Sequence, residues 1–336
     1  MKIKVVRRDK PALEIASKAQ QPHTEKEWQL RISQSALHTF QDCRQKAAYK
    51  RAGWRPKKPS RALIFGDFWH NVLKIMTHYS KRRGCAPSLK EIEQFIDDEF
   101  TTWQAESEHR NDKETVENLY YDVQVMFVLL KYYVKQYPGD FNGKRKWIEL
   151  EDKFEATYAG QCMLGYLDGA YRDTLNKDWI LERKTKSQIP ESSVLVDFLA
   201  MDLQTHMYVQ AYNIKYGKFP AGITYDIVRK PSIRKKDSEK MIDFLKRLEA
   251  DIAKKPESYF VRVSIAVNKA LEKTWAEENL GPLLNEYAAW AAGKLPTYRN
   301  TGMCEGKYGA CEFLPMCANG DTRFFKKIDY NGRKKK

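Results

Sequence analysis

The chain has 336 residues, 42% hydrophobic and 12% aromatic, which excludes a largely disordered polymer and allows one large domain or two ordinary ones. Lys and Arg number 59 against 44 Asp and Glu, and the resulting charge of +15 suits an anionic partner or a basic solvated surface. No run reaches the ~18 apolar residues of a membrane span. Residues 1–30 lack a signal-peptide core, and six unevenly spaced cysteines do not read as a secreted disulfide framework, so a cytoplasmic protein without a membrane partner is expected.

Residues 1–28 are polar, with no sustained periodicity, and read as a flexible basic arm. A first helix is expected from Ser33 or Ser35, both acceptable N-caps, carrying Leu37, Phe40 and Ala47 inward. A second runs from Arg61 to Tyr79 and holds Gly66 and His70 on one face. Residues 87–137 read as two long helices, closed by Pro138-Gly139. The pattern then changes to short β-type runs: Trp147 to Tyr158, a turn at Ala159-Gly160-Gln161, Met163 to Thr174, a turn at Asn176-Lys177-Asp178, and Trp179 to Lys184. This predicts an antiparallel meander. Helix returns over 196–216, closed by Gly217, then a strand at 223–229 and the basic loop 229–236. Helices are expected at 238–255 and 265–292, with an extended stretch at 259–264. The last 40 or so residues are loop-rich and end in the basic tail 326–336. Helices, meander, helix, strand and helix predict an α/β fold: a central mixed sheet flanked by helices, within a single domain over 29–325.

The meander carries the chemistry-bearing residues. Side chains alternate along a strand, so Glu182 and Lys184 share a face and Arg183 takes the other. A short turn can bring Asp168 beside Glu182. Paired carboxylates repel unless a cation sits between them, and such oxygen ligands suit Mg²⁺. A lysine beside the metal can orient water and stabilise developing negative charge. The same residues at these spacings also form ordinary cross-strand ion pairs. Gln204 and Tyr208, four apart, share one helix face.

Taken in order, Gly66-xxx-His70, Asp168 within Gly165-Tyr166-Leu167-Asp168-Gly169, Glu182-x-Lys184 and Gln204-xxx-Tyr208 resemble the PD-(D/E)XK nuclease superfamily. More narrowly they resemble its RecB-like branch, which includes phage-encoded exonucleases and the CRISPR adaptation exonucleases. The resemblance spans roughly residues 33–320 and implies a restriction-endonuclease-like core. It also implies that His70, Asp168, Glu182 and the main-chain carbonyl of Arg183 hold Mg²⁺ or Mn²⁺. Lys184 would then assist the attacking water, and Gln204 and Tyr208 would position the scissile strand or support the lysine. Two departures are visible: Leu167 stands where the superfamily name has proline, and Glu182 where many RecB-like members have aspartate. Glu151 matches an acidic position of the branch, and also reads as a surface glutamate.

Cys304, Cys311 and Cys317 cluster in a loop containing Gly302, Gly306, Gly309 and Pro315. Clustered cytosolic thiols favour zinc or an iron–sulfur cluster over disulfides, with a fourth ligand from Cys43, Cys85 or Cys162. The RecB-like resemblance implies a [4Fe–4S] site in which Cys43 joins the three C-terminal cysteines, although six residues separate Cys304 from Cys311 where the CRISPR enzymes have two. Zinc is the alternative.

The expected partner is DNA, as a single strand or at DNA ends, held without sequence readout by the basic loop and the Arg183-Lys184-Thr185-Lys186 cluster. Trp54, Tyr79, Trp103 and Tyr120 are candidates for base stacking and equally for core packing. No Walker A motif appears, so a helicase or recombinase would be a separate chain. The reading is a metal-dependent DNA exonuclease of recombination, repair or DNA processing. The contrasting readings are a non-catalytic iron–sulfur DNA-binding subunit and a sequence-specific endonuclease.

Overall fold

The computed structural model describes residues 30–328 apart from 59, 108, 307 and 308. The expected basic arm at 1–28 lies outside the described residues, as does the expected tail 326–336 from 329 onward; Lys326 and Lys327 belong instead to a short paired strand. Strand β1 (Arg31–Ser33) leads into helix α1 (Gln34–Asp42), where the Ser33 hydroxyl accepts the Ala36 N–H as N-cap. The single helix expected to carry Leu37, Phe40 and Ala47 is two helices. Cys43 is extended (φ −163°, ψ 116°) and ends α1, and α2 (Arg44–Arg51) carries Ala47. After β2 (Trp54–Pro56) comes α3 (Arg61–Arg83), longer than the sequence indicates and ended by Gly84 in the left-handed region. A capping box at Ser88 and Glu91 starts α4 (Leu89–Glu106), and Asp112 caps α5 (Lys113–Gln136). The short α6 (Pro138–Phe141) follows.

Three long strands then form the expected meander: β3 (Lys146–Tyr158), β4 (Gln161–Arg172) and β5 (Asp178–Lys186). The β4–β5 turn is held by Asp173, whose carboxylate accepts the Leu175 and Lys177 N–H groups and the Trp179 indole N–H. The helix expected over 196–216 is broken into α7 (Ser192–Ala200) and α8 (Leu203–Tyr216). The break is a capping event: the Asp202 side chain accepts the Gln204 N–H at 2.9 Å. The strand β6 (Gly222–Arg229), helix α9 (Met241–Lys254) and strand β7 (Phe260–Ala266) follow. The last long helical stretch is interrupted: α10 (Lys269–Trp275) passes through a π turn over Ala276–Leu280 into α11 (Gly281–Ala291). Pro282 has no N–H to offer the ordinary ladder there, which accounts for the wider turn. The chain closes with the two-residue strands β8 (Glu305–Gly306) and β9 (Gly309–Ala310), α12 (Leu314–Asn319) and β10 (Phe325–Lys327), which pairs with β2.

The main sheet has six strands of mixed direction. β3 runs antiparallel along one edge of β4. The other edge of β4 is shared, with β1 parallel against Cys162–Leu164 and β5 antiparallel against Gly169–Arg172. β5 pairs in parallel with β6, and β6 pairs antiparallel with β7. Helices cover both faces. On one, Phe65, Trp69, Leu73 and Met76 of α3 pack with Leu129 and Tyr133 of α5, Phe244 and Leu248 of α9, and Val228 and Phe260 of the sheet. On the other lies α8, where Met207, Val209 and Tyr212 are buried and the Thr205 hydroxyl bonds Tyr225 of β6 at 2.6 Å. This is the restriction-endonuclease-like α/β architecture that the sequence predicts.

Candidate active site

The site forms where β4 and β5 part. Their pairing ends at Gly169 and Leu181, so the next residues in register are Asp168 and Glu182. Continued one step further, the ladder would pair Arg183 with Leu167. Instead the Arg183 N–H donates to Asp168 Oδ2 at 2.6 Å, so a carboxylate takes the place of a ladder carbonyl. On an extended strand the C=O leaves the chain on the same side as the N–H of its residue. The Arg183 carbonyl therefore faces the same gap.

Each face of the sheet contributes. His70 of α3 approaches with Nδ1 at 3.3 Å from Asp168 Oδ1. Gly66, one turn earlier, lets α3 lie close against β5, since a Cβ there would sit 3.3 Å from Thr185 Oγ1. From the opposite face, α8 supplies Gln204, whose amide N–H donates to Glu182 Oε1 at 2.7 Å and whose carbonyl accepts from Lys184 Nζ. Lys184 Nζ also lies 2.8 Å from Glu182 Oε1. Tyr208, one turn along α8, is buried edge-on against Phe154, with ring centroids 5.4 Å apart. Gly165 makes this packing possible, because a Cβ there would come within 2.5 Å of the Phe154 ring.

The electrostatics follow from burial. Glu182 is pushed up to about 7 by desolvation and by the neighbouring Asp168 charge, with Lys184 opposing the rise. Asp168 is just as deeply set, but its hydrogen bond from His70 and the charges of His70 and Arg183 outweigh desolvation and hold it below the usual carboxylate range. Burial pulls His70 down, yet Asp168 and Glu182 bring it out above its ordinary value. The same contest raises Lys184: desolvation lowers it, and Glu182 more than compensates.

Two residues contribute more than their spacing in the sequence indicates. Arg183 is 1% exposed, and on the face opposite Glu182 its guanidinium donates to Thr77 Oγ1 at 2.9 Å and lies 3.6 Å from Glu151 Oε1. Glu151 sits between the register pairs Leu150–Gly169 and Asp152–Leu167, hence beside Asp168, with φ 52°. It is not an ordinary surface glutamate. Its Oε1 is buried without a hydrogen-bond partner, and desolvation, then Asp168, pushes it up to about 7. The two-residue turn at Ala159-Gly160 fixes the β3–β4 register, so this position was in principle countable from the sequence.

Among the described residues no three His, Cys, Asp or Glu side chains converge as a formed metal site. Glu182 is drawn instead toward Lys184 and Gln204. The donor chemistry nevertheless fits a divalent cation, because Asp168 and Glu182 are buried, mutually repelling oxygen donors, and Glu151 Oε1 nearby accepts no hydrogen bond. At the other end of the chain, Cys43 Sγ accepts the Asn300 N–H at 3.4 Å and Cys317 Sγ accepts from Arg299 Nε at 3.1 Å. The Cys311 N–H donates to the Cys304 carbonyl at 2.8 Å. Cys43, Cys304, Cys311 and Cys317 are all half-buried, whereas Cys85 is exposed and Cys162 is buried in the sheet.

A family model of the PD-(D/E)XK nuclease superfamily matches residues 31–318. The chain belongs to that superfamily. Among solved structures, a protein from Eubacterium rectale provisionally called an exonuclease is 12% identical, with 93% of this chain and 97% of that chain covered at a TM-score of 0.45. SSO0001 is 12% identical, with 54% of this chain and 69% of that chain covered at a TM-score of 0.24. Both are distant likenesses, and the assignment rests on the family match. No curated protein gives a significant match.

Proposed function

We propose that the protein is a divalent-cation-dependent DNA exonuclease that hydrolyses phosphodiester bonds in recombination, repair or DNA processing. The observation that carries this reading is the meeting of Asp168, Glu182 and Lys184 where β4 and β5 part, with Gln204 bridging the last two. Asp168, Glu182, His70 and the Arg183 carbonyl would hold Mg²⁺ or Mn²⁺, which when bound polarises the phosphate and stabilises the leaving oxygen. Lys184 orients the attacking water and offsets the negative charge that develops at phosphorus. Gln204 fixes the lysine through its side-chain carbonyl, and Tyr208 keeps Gln204 in place. The +15 charge supports a polyanionic substrate bound without base readout.

Cys43, Cys304, Cys311 and Cys317 would hold a [4Fe–4S] cluster, or a zinc ion, as a structural tie. Support comes from the Arg299–Asn300 segment, which contacts both Cys43 and Cys317. A recombinase or helicase partner fits a chain with no nucleotide-binding loop of its own.

End-labelled linear DNA, single- and double-stranded, tested beside covalently closed circles with Mg²⁺ or Mn²⁺, checks the exonuclease assignment. Loss of linear DNA with closed circles intact is expected. Discrete bands from closed circles would make it an endonuclease, and binding without cleavage would make it a DNA-binding subunit.

A further inference from the structure

Beyond the end of β5 lies a cavity of about 650 Å³ between the start of α3, the middle of α5 and the loop after β6. It belongs to none of the site residues described above, but it adjoins them. The Lys230 N–H donates to the Lys186 carbonyl at 2.8 Å, two residues beyond Lys184 on the same strand. Phe65, in its wall, immediately precedes Gly66, where α3 closes on Thr185.

The charges in its walls do not balance. Two acids line it, and both are already paired: Asp122 takes two hydrogen bonds from Arg61, at 2.7 and 2.9 Å, and Glu117 lies 3.8 Å from Lys113. Three cations are left over. Lys230 is half-buried with Nζ 3.8 Å from the centroid of the Phe65 ring, and among the described residues it has no ion-pair partner. Among the described residues, Lys235 donates only to the main-chain carbonyls of Lys236 and Glu239. Arg234 is exposed at the rim, also without an ion pair among the described residues. The first turn of α3 adds to this field, since the Ser60 side chain makes no capping bond to it. Desolvation pulls Lys230 down to about 8, with Asp122 only partly opposing it.

A half-buried ammonium with two further cations around an open cavity is short of an anion. We infer that this cavity is a subsite for a phosphate group of the bound DNA strand other than the one hydrolysed, an inference that rests on the nuclease reading. The group would be either a terminal phosphomonoester or an internal diester, held by Lys230 with Arg234 and Lys235 at the rim. A strand leaving the Lys184 site along the end of β5 passes the cavity, so occupancy there would fix how far the strand is drawn across the site.

The test measures binding of single-stranded oligonucleotides over a range of salt concentrations in a Lys184→Ala background, with 5′-phosphate, 3′-phosphate or hydroxyl ends. Lys230→Met is expected to weaken binding about tenfold and to reduce the salt slope by about 0.7, the value of one single-strand phosphate contact. Lys230→Arg is expected to retain both. Weakening confined to one phosphorylated end identifies a terminal phosphate, and equal weakening on all three identifies an internal one. Unchanged affinity and slope in Lys230→Met would overturn the inference while leaving the nuclease reading intact. Should Lys230→Met not fold, the exposed-side variant Arg234→Gln/Lys235→Gln carries the same expectation. Undiminished cleavage by Lys184→Ala, or no DNA binding by it, would overturn the nuclease reading and this subsite with it.

Discussion

Two carboxyls at this site, Glu151 and Glu182, are held up to about 7 by burial and by Asp168. In the folded protein each keeps its proton to near neutrality, whereas in the unfolded chain it loses it near 4.5. Between those values the native state binds more protons than the unfolded state, so stability falls as pH rises. Urea unfolding in chelator should therefore show lower stability at pH 8 than at pH 5. Glu182→Gln should flatten that dependence, and an unchanged slope would refute the assignment. Lys184→Met removes the cation facing Glu182, and we expect kcat to fall by ~10²–10⁴. The fold should survive, because Glu182 can take up a proton when its partner is gone. Gly165→Ala tests the packing beneath Tyr208: the Phe154 ring blocks the added methyl, and a loss of ~1–3 kcal/mol in denaturant unfolding is expected. Strand alternation puts Glu182 and Lys184 on one face, whereas Asp168 and Gln204 join them as a site only through the ordered resemblance to the PD-(D/E)XK superfamily. The place of Glu151 beside Asp168 is countable from the Ala159-Gly160 turn, but its positive φ and its contact with Arg183 leave no mark in the sequence.

At the scale of elements, the break between α7 and α8 sets the position of Gln204. Asp202 caps α8 through the Gln204 N–H itself, so the residue that starts the helix also aims the residue that holds Lys184. Asp202→Ala should cost ~1 kcal/mol of stability. It should also lower kcat more than it changes KM, and Asp202→Asn should restore both. Equal loss in the Ala and Asn variants would mean that the charge of Asp202 matters more than its cap. An aspartate before a helical run is a start signal, but the largely apolar run over 194–200, interrupted by Asp197 alone, extends the helical pattern across the break. The Cys43 break between α1 and α2 escaped for a similar reason: neither glycine nor proline marks it. The meander is legible in the sequence because its turns are short and local. The parallel placements of β1 beside β4 and of β6 beside β5 depend on non-local pairing, which leaves no comparable local mark.

Across the whole molecule, the two ends of the described chain are brought together. β10 pairs with β2, Phe313 and Phe325 stack with centroids 5.3 Å apart, and the Asn300 side chain donates to the Asp42 carbonyl at 2.8 Å. A cysteine-bound cluster would reinforce this closure. Protein isolated anaerobically should carry iron and acid-labile sulfide, and Cys43→Ser should lose both and melt at a lower temperature. Bound zinc would point to the alternative metal. No bound metal, with unaltered melting in Cys43→Ser, would remove the tie altogether. That the cysteines fall at one end of the fold was readable from their clustering, but the Arg299–Asn300 segment between Cys43 and Cys317 emerges only when the ends meet.

The proposed nuclease cuts DNA where β4 and β5 part, and its activity depends on Lys184. The most direct measurement is cleavage of labelled linear DNA by the wild-type protein and by Lys184→Ala, with Mg²⁺, with Mn²⁺ and with chelator. Cleavage by the wild type with a divalent cation, none with chelator, and a loss of at least ~10²-fold in Lys184→Ala are expected. Equal cleavage by the two proteins, or cleavage that persists in chelator, would contradict the assignment.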